Sequence, residues 1–372
     1  MSERLARAAL SRLTEPGERR LSSLVAELGA VKVYELLREE QDVAGVHTDV
    51  ASRLRGLDPE SDLARAEQLG IRFVCPGDAE WPDRLGDLDR CEEVVGRGGA
   101  PLGLWVKGPG DLREACARSV AVVGSRSATT YGAGVASDIA AELAREQVCV
   151  VSGAAFGIDQ AAHRGALATR GPTVAVLACG VDRAYPAAHR TLLDYIAQTG
   201  AVVSELPPGC APTKIRFLSR NRLIAALSLG TVVVEAAARS GALNTANWAS
   251  KLSRVLMGVP GPVTSAPSEG VHELLRCRDA ALVTRAAHVL ELVSPAGSFL
   301  TAQVRGPDTP RDRLSLAERR VLDAVPVVVP VDAGSVARTC GMGEPEVVAT
   351  LARLRDGGFV EAGARGWRLA GR

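Results

Sequence analysis

The chain has 372 residues, a formal net charge of +1, 47% hydrophobic and only 3% aromatic residues, so it is too long for one compact core and long enough for two or three. A charge this close to zero excludes a protein drawn to polyanions by its global field, and any anion site must be local. No apolar run reaches the roughly 20 residues that span a bilayer, and Met1 to Arg20 mix Arg and Glu without an apolar signal core, which predicts a cytoplasmic protein with no membrane partner.

Residues 1–65 carry apolar positions at helical spacing (Leu5, Ala8; Leu21, Leu24, Val25, Leu28; Val33, Leu36, Leu37) punctuated by Pro16-Gly17 and Gly29, which predicts a small helical module resembling a SAM domain. From Gly70 to Gly110 the pattern turns irregular. Ile71–Cys75 and Leu104–Val106 read there as short strand pieces of a peripheral extension.

Between about 118 and 263, six short apolar runs alternate with helical segments: 120–123, 148–151, 173–178, 201–203, 231–234 and 255–259. Nearly continuous apolar strands separated by helices predict a parallel sheet covered on both faces. The helices are expected to begin near Tyr131, Ile158, Ala187, Ser219 and Leu243. The fold class is therefore α/β: an extended Rossmann-like parallel sheet over 66–292, preceded by the helical module. A turn-rich linker over 293–312 leads to a last stretch, 313–372, that reads helix, helix, helix and two strands about a Gly turn, the order of a winged-helix module. Its third helix mixes Glu344 and Glu346 with Arg353 and Arg355, a packing or protein-contact face before a groove-reading one.

In an open parallel sheet, ligands bind beyond the carboxyl ends of the strands, and the polar singularities of this chain fall there. The first run leads into Gly124, Ser125 and Arg126, where Gly admits backbone N–H groups to an anion and Arg126 supplies a fork of donors. The second leads into Ser152 and Gly153, then Gly157, Ile158 and Asp159. Asp159 reads as a helix cap or dipole partner, and His163 as a structural hydrogen-bonding group. Glu235 closes the fifth run and reads as a buried ion-pair partner of Arg220 or Arg222, or else as a catalytic carboxylate. Ser240 and Gly241 follow. Ahead of Ser219, Pro212–Arg222 packs Lys214, Arg216, Arg220 and Arg222 around Phe217 and beside Asn221 without a carboxylate. Cations spaced along a groove neutralise phosphates and an aromatic ring stacks on any base, so the segment points to single-stranded nucleic acid. Four phosphates held by Arg126, Lys214 and the Arg220/Arg222 pair would give a salt slope of about −3.

Other chemistries lack their residues. The eight cysteines form no Cys-x-x-Cys and sit near no His pair, so they read as reduced core fillers and no metal is expected. No P-loop motif is present, and the second run ends in Ser-Gly instead of the acid that holds a nicotinamide ribose, so no cofactor is expected.

The motifs Gly-Ser-Arg-x-x-x-x-Tyr-Gly (124–132), Ser-Gly-x-x-x-Gly-Ile-Asp-x-x-Ala-His (152–163), Phe-x-x-Arg-Asn-Arg (217–222), Glu-Ala-x-x-x-Ser-Gly (235–241) and Val-Pro-Gly-Pro (259–262) resemble, in this order, the DNA-processing protein A (DprA, or Smf) family. The resemblance implies a non-catalytic protein that coats incoming single-stranded DNA in natural transformation, dimerises through its Rossmann-like domain and loads the RecA recombinase. It implies a pocket lined by Arg126 and Lys214, with Phe217 against a base and Arg220, Asn221, Arg222, Ser240 and Gly241 in matching motifs. The chain departs at Leu218, where Pro is common, and at Ala242, where Ser is frequent. The alternative is an enzyme similar to nucleotide phosphoribohydrolases, with Glu235 as the acid. A winged-helix repressor with a ligand-sensing α/β domain is a third reading.

Overall fold

The computed structural model describes residues 1–39, 57–278, 280–301, 306 and 308–371. Residues 40–56 of the expected helical module, and 302–305 and 307 of the expected linker, lie outside the described residues. The chain divides into two compact units, Met1–Thr301 and Ala302–Arg372.

The first unit is built on one nine-stranded sheet. The six expected runs form β3 (Ser119–Val123), β4 (Cys149–Ser152), β5 (Thr173–Val176), β6 (Ala201–Ser204), β7 (Gly230–Val233) and β8 (Val255–Gly258), all parallel. Three further strands complete it. β1 (Ile71–Val74) and β2 (Leu104–Lys107), expected as a peripheral extension, continue the sheet beyond β6, with β2 antiparallel to both neighbours. β9 (Ala281–Leu282) closes the other edge, and two residues are too few to carry a periodic signal.

Successive side chains in a strand point to opposite faces, and this alternation builds cores on both faces of the sheet. Val120, Val122, Val150 and Val232 pack with helices Thr130–Arg145, Ile158–Ala168 and Ala286–Val293. Ala121, Val123, Cys149, Val151, Val174, Val176 and Val233 pack on the other face with helices Lys214–Leu227, Ala242–Lys251 and Glu269–Cys277. The sheet is buried on both sides, which is why its strands read as unbroken apolar runs.

The strand order is β1-β2-β6-β5-β4-β3-β7-β8-β9. From β3 the chain builds outward through β4 to β6, then returns to place β7 on the other side of β3. The loops leaving β3 and β7 consequently diverge to opposite faces, and a crevice opens between them at the carboxyl ends.

Helices Glu3–Leu13, Arg19–Leu28 and Ala30–Arg38 bury Leu10, Leu21, Val25, Val33 and Leu37 in a core shared with Leu102, just before β2. The described helices of the helical module are thus seated on the sheet domain. No described helix is long and apolar enough to cross a membrane. The second unit packs helices Leu316–Ala324, Ala333–Cys340 and Glu344–Asp356 on their own core, followed by the antiparallel ribbon β10 (Val360–Gly363) and β11 (Gly366–Leu369). A capping box between Ser315 and Glu318 starts its first helix.

Candidate nucleic-acid interface

Four of the expected helix starts hold to within a few residues, and one moves. Thr213 caps a helix that begins at Lys214, accepting a hydrogen bond from the Arg216 N–H at 3.4 Å, so the basic segment is the helix's own first turns instead of a loop before Ser219. The helical period then sorts its side chains. Lys214, Phe217, Leu218 and Asn221, at i, i+3, i+4 and i+7, share one side; together with Arg220 and Ile224 they line a cleft of about 750 Å³. Arg216, Ser219 and Arg222 fall on another side.

Two expected site cations are therefore withdrawn. Arg222 is 0% exposed along its side chain, forked onto the Glu205 carboxylate at 2.6 and 2.7 Å while its Nε donates to the Gly99 carbonyl at 3.1 Å. Arg216 forms a bidentate pair with Glu15, in the turn between the first two helices, at 2.8 and 2.6 Å. This hydrogen-bonded guanidinium holds the Glu15 carboxyl below its ordinary range. A helix cannot aim all its sides at one cleft, and carboxylates distant in sequence satisfied the other side.

The rest of the cleft comes from the strand-end loops: Gly124, Ser125, Arg126 and Ser127 after β3, Ala155 and Asp159 after β4, Tyr185 after β5, and Ala237, Arg239, Ser240, Gly241 and Ala242 after β7. The β3 loop is braced on both sides. Ser125 N–H donates to the Glu235 carbonyl at 2.6 Å, and the Ser125 carbonyl accepts from Ile158 N–H at 3.1 Å. Ser240 Oγ accepts from Ala242 N–H at 3.3 Å, and the Asn221 amide donates to the Gly241 carbonyl and to Asn244 Oδ1, both at 3.3 Å.

Glu235 pairs with neither Arg220 nor Arg222. It is 2% exposed, and its two carboxylate oxygens accept from Thr129 N–H at 2.9 Å and Thr129 Oγ1 at 2.5 Å. It thereby anchors the N-cap of helix Thr130–Arg145, and Gly132 is required there because a Cβ would run into that carboxylate. Its remoteness from Arg220 follows from β4 and β3 lying between β7 and β5, above whose end Arg220 sits.

Ser152 and Gly153 lie beneath the cleft instead of lining it. Ser152 Oγ donates to the Val122 carbonyl at 2.7 Å, while Gly153 leaves room for the buried Arg220 guanidinium, on which a Cβ at 153 would land. Arg220 donates to the Val176 carbonyl at 3.2 Å. Burial pulls its pKa down, against the attraction of Asp159. Burial likewise pushes the Asp159 carboxyl up, opposed by Arg220 and by the N–H of Ala155. His163 contacts Thr173 Oγ1 through Nδ1 at 2.8 Å, and burial drives its pKa down to about 3. It is a core hydrogen-bonding group, as its sequence position implied. Of the cysteines, 75, 116, 149, 179 and 340 are buried, but Cys277 is exposed and is no core filler.

At the mouth, Arg126, Lys214 and Arg239 are exposed and, among the described residues, form no ion pair with a carboxylate. Among the described residues, the one acid lining the cleft is the buried Asp159. Phe217 stands between cations and an aromatic: the Arg126 guanidinium lies 4.7 Å from its ring centroid, that of Arg220 5.9 Å, and the Tyr185 ring 5.6 Å away at 50°. Sequence reasoning passed over Arg239, Thr213 and Tyr185. Arg239 sits one residue before Ser240-Gly241 and was open to inclusion on charge alone; Tyr185 lies in the loop after β5, which carries no cation-rich motif to mark it.

Comparison with known proteins places this architecture. A family model described as DNA recombination-mediator protein A matches residues 72–294. The putative DNA processing protein DprA of Mycobacterium tuberculosis (strain CDC 1551 / Oshkosh) is 44% identical over 97% of this chain and 93% of its own length. The X-ray structure of DNA processing protein A from Streptococcus pneumoniae superposes with a TM-score of 0.65 at 30% identity, covering 79% of this chain and 99% of that one. DNA processing protein A from Helicobacter pylori, whose structure is described as revealing a unique single-stranded DNA binding mode, superposes with a TM-score of 0.51 at 27% identity over 59% of this chain and 94% of that one. With the motifs, the sheet order and these matches in agreement, the chain belongs to the DNA recombination-mediator protein A family, whose curated members are called DprA or Smf.

Proposed function

We propose that the cleft binds single-stranded DNA and that the chain acts, without making or breaking bonds, as a recombination mediator in DNA uptake. The observation that carries this reading is the cleft's charge: Arg126, Lys214 and Arg239 stand exposed in the same lining as Phe217, with no exposed carboxylate in that lining among the described residues. Cations held apart from internal partners are available to phosphates, and the aromatic floor accepts any base. Gly124, Ser125, Ser240 and Gly241 contribute backbone and hydroxyl groups to the same rim, and Asn221 and Arg220 shape it from below. The reported single-strand binding of the Helicobacter pylori relative supports the same assignment.

The hydrolase alternative requires Glu235 as an acid facing the cleft. Both of its oxygens are engaged by Thr129, which supports the non-catalytic reading. Protection of incoming strands, RecA loading and a homodimer follow from the family resemblance; nuclease challenge, a strand-exchange assay and light scattering test them in turn. The second unit, with three helices and a ribbon, is read as a winged-helix module, and a comparison of duplex with single-strand binding tests whether it contacts DNA. A cytoplasmic location belongs to the same reading and is tested by cell fractionation.

The direct test of the cleft is a salt series. Three exposed cations neutralising three phosphates give a slope of log affinity against log salt near about −2, at roughly −0.7 per phosphate. That is shallower than the value expected from four, because Arg220 and Arg222 are both buried on internal partners and Arg239 replaces only one of them. A flat response removes the electrostatic cleft from the account.

A further inference from the structure

We propose that Tyr185 is a second base-stacking platform of the cleft, so that single-stranded DNA is gripped by two neighbouring bases, one at the Phe217–Arg126 pair and the next at the exposed phenol. The inference rests on the single-strand reading of the cleft and adds a residue to it.

Three observations carry it. The first is that Phe217 is not a bare platform: the Arg126 guanidinium lies 4.7 Å from its centroid, so part of the ring is already covered and the ring is only half-exposed. The second is that Tyr185 lines the same cleft, 5.6 Å from Phe217, and is 43% exposed in a chain with four tyrosines in all. Among the described residues its hydroxyl has no hydrogen-bond partner. An aromatic ring left in water beside a cationic rim, with its polar tip free, is suited to a ligand with one flat apolar face and one charged edge.

The third observation is rigidity. The Asp182 carboxylate accepts from Gly209 N–H at 2.9 and 3.0 Å, tying the Tyr185 loop to the segment that leads into the basic helix. Arg183 N–H donates to the Gly180 carbonyl at 3.0 Å, and Gly180 N–H to the Cys210 carbonyl at 3.0 Å. Past the tyrosine, the buried His189 contacts the Ala154 carbonyl through Nδ1 at 2.9 Å. A ring held this way gives up little conformational freedom on binding, which is how tyrosine contributes contact area at low entropic cost.

The test uses the full chain with oligothymidylate and with an abasic strand of the same length. Tyr185→Ala is expected to bind oligothymidylate about 5- to 150-fold more weakly, the equivalent of one stacked base, with the salt slope unchanged and little loss on the abasic strand. Tyr185→Phe, which keeps the ring, retains binding. Tyr195→Ala, which truncates an equally exposed tyrosine outside the cleft, leaves affinity alone. Photocrosslinking of the unaltered protein to 5-iodouracil-substituted strands is expected to label Tyr185, which decides the matter without any variant. Tyr185→Ala binding as tightly as the unaltered chain, or crosslinks that reach Phe217 and not Tyr185, overturns the proposal while leaving the single-strand reading intact. Failure of the unaltered chain to bind oligothymidylate overturns both.

Discussion

Lys214 and Phe217 stand one helical turn apart on the same side of the same cleft, yet they are built for different parts of a nucleic acid. The ammonium group of Lys214 meets a phosphate through charge alone, so Lys214→Ala is expected to weaken every sequence alike and to make the salt slope shallower by about 0.7. The Phe217 ring meets a base by dispersion and stacking; Phe217→Ala is expected to cost about 1–3 kcal/mol with the slope unchanged. Fluorescence anisotropy titrations across a salt series separate the two. Below the cleft, His163 carries a stability prediction. Its pKa is lowered from 6.5 to about 3 by burial, so between pH 6.5 and about 3 the unfolded chain takes up a proton that the folded chain refuses. Stability is then lost as pH falls, by about 1.4 kcal/mol per unit from this group. Asp159, raised by burial, has the opposite sign, since its folded form holds the proton more firmly, and offsets part of the loss. Denaturant unfolding at stepped pH should show a smaller acid loss in His163→Gln than in the unaltered chain.

At the scale of elements, the helix Lys214–Leu227 decides which charges act outward. Nine consecutive residues, Ser219 to Leu227, are buried, and they include Arg220, Asn221 and Arg222. The helix was readable from Ser219 onward but not over Lys214–Leu218, where the first turn is only partly buried or exposed and shows no apolar face, so those residues read as a basic loop. The contrast between its two internally paired cations is testable. Arg222→Ala strands the largely buried Glu205 carboxylate and is expected to cost about 3–5 kcal/mol of stability. Arg216→Ala breaks a partly exposed pair and is expected to cost no more than about 1 kcal/mol. In either variant that remains folded, the salt slope for single strands stays as it was, because neither guanidinium faces the cleft. A slope that flattens in Arg216→Ala would return that residue to the binding surface.

For the molecule as a whole, the first unit holds the complete sheet, the cores on both of its faces and every lining residue of the cleft. A chain ending at Thr301 is therefore expected to keep the salt slope of the full protein, measured by the same titration. The six central strands were readable as apolar runs because each is buried on two faces, and the rim loops were readable because small and polar residues interrupt those runs at their carboxyl ends. The family motifs fell on the same loops. Less accessible were β1 and β2, whose membership of the sheet depends on pairing across roughly a hundred residues of chain, and the place of Glu235, whose partner Thr129 lies 106 positions away.

Local sequence by itself determined the six central strands, the layered architecture and the rim on which a ligand could sit, since burial on two faces and the chemistry of turns are written in short stretches of residues. Only the tertiary structure decided which cations are free to meet a phosphate. Glu15 comes from the turn between the first two helices and Glu205 from the end of β6 to neutralise Arg216 and Arg222, while Arg126, Lys214 and Arg239 meet no carboxylate among the described residues. Ion pairing depends on distance in space, and no spacing along the chain encodes which carboxylate arrives first.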